Sequence, residues 1–183
     1  MSDNKEKKKQ NKKLVNMIYI SLFAALIAIS AQIAVPIGQI PFTLQTLAVC
    51  VTSALLGLKR GTASILIYIL LGVVGLPVFA GFAGGIGVLS GPTGGYIIGF
   101  VFVGLLVGFL TDKFGRKIFV LILSMIASVL LCYLFGTLWF MVFSSTDFLS
   151  SLMLCVVPYL PADALKIACA SVIVNRMDKI IRL

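Results

Sequence analysis

No histidine occurs in this chain of 183 residues. Its absence removes the commonest general base and proton relay, the Ser-His and Cys-His nucleophile pairs, and every His-ligated metal site, and so argues against an intramembrane enzyme. Nor is any glycine followed by lysine, so there is no G-x-x-x-x-G-K-[ST] phosphate loop. The polar connections are too short to hold another nucleotide-binding domain, and any ATP used in this protein's work is hydrolysed by a different chain. The four cysteines, Cys50, Cys132, Cys155 and Cys169, lie in apolar segments without a C-x-x-C spacing. They read as small packing residues with no disulfide or metal role, and no cofactor is implied.

Charge is also scarce, at 11% of residues, whereas hydrophobic residues make up 60% and mean hydropathy is +1.13. A globular domain is roughly 45–50% apolar, so this composition defines an integral membrane protein. Apolar runs at about Leu14–Val35, Thr43–Leu58, Thr62–Leu76, Gly94–Leu110, Ile118–Phe143 and Leu152–Val174 approach the ~20 residues that cross a bilayer as helix. They predict an all-α fold of six transmembrane helices in a single domain over residues 14–183, preceded by a basic tail over residues 1–13. Two runs are short; either those helices lie near the thinner margins or the Gly-rich backbone beside them continues part of the way across.

The connections alternate between uncharged and basic. The tail carries Lys5, Lys7, Lys8, Lys9, Lys12 and Lys13, residues 36–41 carry no charge, Lys59 and Arg60 are basic, residues 76–93 carry none, Lys113, Arg116 and Lys117 are basic, residues 144–151 hold only Asp147, and Arg176, Lys179 and Arg182 close the chain. The positive-inside rule then puts both termini in the cytoplasm, in a multi-pass protein of the plasma membrane. The net charge of +9 is accounted for by this topology and by attraction to anionic membrane lipid, without nucleic acid. The basic start followed by an apolar run resembles a secretory signal, but the run exceeds 7–15 residues and leads into further membrane segments, so it is read as an uncleaved first helix.

Of the 15 lysines and arginines, only Lys166 falls inside an apolar run, three residues after Asp163. A charge at bilayer depth costs at least about 2.5 kcal/mol, so the two call for a functional explanation. In the stretch PYLPADALK, Pro161 suits the first turn of a helix, which puts Asp163 in its positive N-terminal turn. Asp163 and Lys166 then share a face at i, i+3, as a ligand-binding pair or as a structural ion pair between helices.

Ten of the 17 glycines crowd into residues 72–99. Glycine there allows turns and close approach of a ligand, with Pro77 and Pro92 fixing the ends, so the stretch reads as an ordered loop or pocket wall between the third and fourth helices. Gly91, Gly95 and Gly99 instead have the spacing of a helix-packing face, and both readings hold if the first half is loop and the second helix. PFTLQT, at residues 41–46, offers Thr43, Gln45 and Thr46 to a polar ligand edge, or caps the second helix. Tyr96 and the single tryptophan, Trp139, suit stacking on a ligand or anchoring at the membrane boundary. Ala24 and Ala28 form a small-x-x-x-small pair for internal packing or partner docking.

PFTLQT, GLPVFAGFAGGIGVLSGPTGGY and PYLPADALK stand in the order of the signature regions of one family. On these residues the chain resembles the BioY family, the biotin-specific substrate-binding (S) components of energy-coupling factor (ECF) transporters, over everything after the basic tail. The resemblance implies six helices, with biotin held near the extracellular side under the loops after helices one, three and five. It implies that Asp163 and Lys166 contact the ligand's polar groups, that Thr43, Gln45 and Tyr96 line the cavity, and that Phe79, Phe82 and Trp139 suit its apolar bicycle. It also implies docking through Ala24 and Ala28 onto an EcfT-type transmembrane coupling protein, which works with two ABC-type ATPase subunits while the S component topples in the membrane. The chain itself catalyses no reaction on this view. The rival is a self-sufficient secondary transporter of a small organic anion coupled through Asp163 and Lys166.

Overall fold

The computed structural model describes residues 2–36 and 40–180, with side chains over residues 10–36 and 40–178. The side chains of Lys5, Lys7, Lys8, Lys9 and Lys179, part of the connection at residues 36–41, and Arg182, all used in the topology reading, lie outside the described residues. Helix α1, Ser2–Gln32, runs from the tail into the first apolar run without a break.

Among the described residues, five helical stretches are long and apolar enough to cross a membrane. The second, α2 at Gln45–Val73, doubles back at Gly57 and contributes two passes, making the six-helix bundle expected. Gly57 adopts φ 74° and ψ −175°, a conformation open essentially to glycine alone. Gln45 Nε2 donates to the Tyr68 hydroxyl at 2.6 Å, whereas a continuous helix would hold those residues about 35 Å apart. Nearer the turn, a β-carbon on Gly61 would come within 2.9 Å of Ser53 Cα.

The reversal leaves orphan backbone groups on both half-helices. Two charged residues from the following hairpin satisfy them. The Leu58 N–H donates to Asp112 Oδ2 at 2.9 Å, and Arg116 donates to the Ala54 and Leu55 carbonyls at 2.8 Å each. Arg116 also bonds Asp178 at 2.6 Å, tying in the last helix. Arg116 is therefore a structural cap as well as a topology signal.

Helices α4, Gly94–Phe114, and α5, Ile118–Ser144, form the next two passes. The spacing of Gly95 and Gly99 does serve helix packing: their faces meet Phe135, Trp139 and Cys132 of α5. The last pass is broken. Helix α6, Phe148–Cys155, is capped by Asp147, whose carboxylate accepts from the Ser150 N–H at 3.0 Å; hydrogen bonds from the Ser150 side chain and then its backbone hold that carboxyl below the usual aspartate pKa. After a 3₁₀ turn over Val157–Tyr159, helix α7 runs Leu160–Ile180 with Pro161 and Asp163 in its first turn, as expected.

One feature is not expected from the sequence. Among the described residues, antiparallel two-residue strands, β1 Ala34–Val35 and β2 Phe42–Thr43, form a short β-ladder in the connection from α1 to α2. Ala24 is only 2% exposed and the half-buried Ala28 packs on the same core, so their spacing serves internal packing, one of the two uses the sequence leaves open.

The Gly-rich segment is folded. It holds a 3₁₀ turn, Ala80–Phe82, and a short helix α3, Ile86–Leu89. Phe79 is 1% exposed and plugs the end of the bundle, edge-on to Tyr68 with centroids 5.6 Å apart. Its ring lies on Gly72, where any β-carbon would overlap it. Gln32, at the end of α1, clamps the loop through its amide: Nε2 donates to the Phe79 carbonyl at 3.1 Å and Oε1 accepts from the Phe82 N–H at 2.9 Å. Replacing Gln32 with leucine should leave the helices intact yet speed hydrogen exchange at the Phe82 amide by at least about tenfold. Unchanged exchange would show that Phe79 alone secures the loop.

Candidate functional site

A cavity of about 260 Å³ lies at the end of the bundle opposite Gly57. The connection after α1 contributes Pro41, Phe42 and Thr43, and α2 contributes Gln45 and Thr46. The Gly-rich loop covers it with Phe79, Ala80, Ala83 and Val88. Tyr96, Ile97 and Phe100 of α4, Val129, Cys132 and Tyr133 of α5, and Cys155, Tyr159, Asp163 and Lys166 of the last pass complete the wall. The volume is below that of pockets for drug-sized molecules and suits a small organic one.

The polar groups concentrate in two clusters. In the first, Lys166 donates to Asp163 Oδ1 at 2.7 Å, and the Tyr133 hydroxyl donates to Asp163 Oδ2. Asp163 and Lys166 are each 6% exposed. The Lys166 ammonium also stands 3.8 Å from the centre of the Phe42 ring, an attraction strengthened by desolvation. Among the described residues it has no hydrogen-bond acceptor but Asp163, although an ammonium has three donors. The ion pair thus neutralises its own charge without exhausting its hydrogen-bonding capacity.

In the second cluster the Thr43 hydroxyl donates to Gln45 Oε1 at 2.9 Å, and Gln45 Nε2 bonds Tyr68 at 2.6 Å. The Gln45 N–H also reaches Thr43 Oγ1 at 3.3 Å. This fixes the amide so that one N–H and one carbonyl lone pair remain for another partner. Elsewhere the Tyr159 hydroxyl donates to the Ile40 carbonyl, tying the 3₁₀ turn before α7 to the α1–α2 connection, and the Tyr96 hydroxyl donates to the Cys155 carbonyl at 3.5 Å.

The structure brings Thr43, Gln45, Phe79, Tyr96, Asp163 and Lys166 to the cavity. It does not bring Phe82 or Trp139 there. Phe82 is 72% exposed at the tip of the 3₁₀ turn, its backbone at φ 57°. Trp139 is 38% exposed, and its indole N–H donates to the Gly91 carbonyl at 2.9 Å, so it braces the loop from outside the cavity. Sequence reasoning missed Phe42, Tyr133 and Tyr159. For Tyr133 a signal existed, because it follows Met125, Val129 and Cys132 along the buried face of α5.

These features define a class: a multi-pass helical membrane protein with a cavity at one end of its bundle, sized for a small organic molecule. The comparisons narrow it. The chain belongs to the BioY family, whose model matches residues 4–183. It is 41% identical over 159 residues to a probable biotin transporter BioY of Pyrococcus horikoshii, covering 87% of this chain and 93% of that one. It is 38% identical over 165 residues to the biotin transporter BioY of Thermotoga maritima, covering 90% and 96%. In three dimensions it matches the crystal structure of the S-component for biotin from an ECF-type ABC transporter with a TM-score of 0.86 at 32% identity, covering 92% of this chain and 93% of that one.

Proposed function

We propose that this protein is the biotin-capture subunit of an ATP-driven ECF-type uptake system and is not itself an enzyme. The observation that carries this reading is Lys166, a buried ammonium at the cavity wall with donors to spare, paired with Asp163. Biotin's ureido ring offers two N–H donors and a carbonyl, its tail a carboxylate, and its bicycle an apolar body. Asp163 accepts from one ureido N–H, because the ureido N–H groups are the ligand's only donors while its acid is ionised, and Lys166 and Gln45 supply donors to its oxygens. Phe79, Phe100 and Val129 take the bicycle. Transport further requires a transmembrane coupling protein of the EcfT type and two ABC-type ATPases. The basic connections support cytoplasmic termini in a plasma membrane, with the cavity end facing outward.

The test is calorimetric titration of the purified chain with biotin, beside Asp163→Asn and Lys166→Ala. Stoichiometric tight binding that weakens at least about tenfold in each variant is expected. Trp139 fluorescence is the weaker readout, because that ring lies outside the cavity. No binding by a demonstrably folded sample sinks the reading, and ATP-independent uptake into vesicles holding this chain alone replaces it with the self-sufficient transporter.

A further inference from the structure

A second concavity, a groove also of about 260 Å³, lies between α5 and α7. Its walls are almost wholly apolar, with Ile126, Leu130, Leu160 and Ala164 among them, and Ile126, Leu130 and Leu160 are exposed on the bundle surface. It belongs to segments that span the membrane, so it opens towards hydrocarbon. The groove and the ligand cavity share Val129, Tyr133 and Asp163. Tyr133 and Asp163 are thus the wall between a polar binding site and the lipid side.

That position sets a problem for Asp163. Lys166 occupies Oδ1, and no water is at hand on the hydrocarbon side to satisfy the other oxygen. Among the described residues, the Tyr133 hydroxyl is the partner that does so. Two donors, one on α7 itself and one on α5, then fix the plane of the carboxylate and aim its remaining lone pairs. We propose that Tyr133 is a positioning residue for the ligand: it acts through Asp163, holding the carboxylate in the orientation that receives a ureido N–H. This rests on the biotin reading above.

Tyr133→Phe tests it by removing the hydroxyl and keeping the ring as wall. Affinities of the wild-type and Y133F full-length chains, in lipid nanodiscs, are measured for biotin and for its two mono-N-methylated ureido isomers. Y133F is expected to weaken biotin at least about tenfold. It should weaken equally the isomer that keeps the N–H facing Asp163, and leave within about twofold the isomer whose methyl blocks that N–H. An equal loss on biotin and both isomers would assign Tyr133 a merely structural role and overturn the inference, as would unchanged biotin affinity in Y133F. Failure of the wild-type chain to bind biotin would overturn the biotin reading and this inference together.

Discussion

Replacing Asp163 with alanine should abolish biotin binding and destabilise the folded chain by about 3–5 kcal/mol, because it strands the Lys166 ammonium in a wall that is nearly closed to water. The informative comparison is with Asp163→Leu, Lys166→Met and Tyr133→Phe combined. That triple variant removes both charges and the hydroxyl that would lose its acceptor, and apolar replacement of a buried pair is often neutral or stabilising by about 1–4 kcal/mol. The expected result is a protein at least as heat-resistant as wild type that binds no biotin. Thermal unfolding and calorimetry on the same samples check both halves. A triple variant as unstable as Asp163→Ala would mean the pair holds the fold, and retained binding would mean the ligand sits elsewhere.

The second large effect should come from the opposite end of the molecule. Arg116→Met removes the donors to the Ala54 and Leu55 carbonyls and the partner of Asp178. Each buried acceptor left unsatisfied costs roughly 1–3 kcal/mol, so a loss of about 3–5 kcal/mol is expected. Arg116→Lys should recover less than half of it, since a lysine cannot present the guanidinium's planar fork to two carbonyls and a carboxylate at once. Gly57→Ala attacks the same turn, forcing a side chain into glycine's backbone conformation and onto the Asp112 carboxylate. In all three variants the biotin affinity of the folded fraction should stay within about threefold of wild type, because the cavity is some 18 Å away along α2. A large affinity loss in a stable Arg116→Lys protein would refute this separation of cap from site.

The legibility of this architecture in the sequence follows the reach of each signal. Long apolar runs with basic residues between them mark the passes, and Lys59 with Arg60 betrays the turn near Gly57 even though the helix assignment continues through it. Asp163 and Lys166 are legible because charge is rare at that depth, and Thr43 and Gln45 because polar groups cluster at a helix mouth. The role of Arg116 is not legible, since its carbonyl partners lie 61 and 62 residues away in the chain. Phe79 and Phe82 look alike in an irregular segment with no period to say which points inward. The Ala24 and Ala28 spacing identifies a stripe on α1 but not whether that stripe faces the bundle or the bilayer. The short β-ladder escapes for the same reason as the loop: two residues per strand give no alternation to read.

The self-neutralising ion pair has an energetic consequence for delivery. Empty, the ion pair sums to no net charge; on the proposed binding mode, loading with ionised biotin leaves the site at −1. Moving that cargo inward across a membrane whose interior is negative opposes the electric field, at about 2.3 kcal/mol per 100 mV. A passive carrier built on this site would therefore accumulate biotin on the wrong side of a polarised membrane, and inward concentration of the vitamin calls for an external source of work.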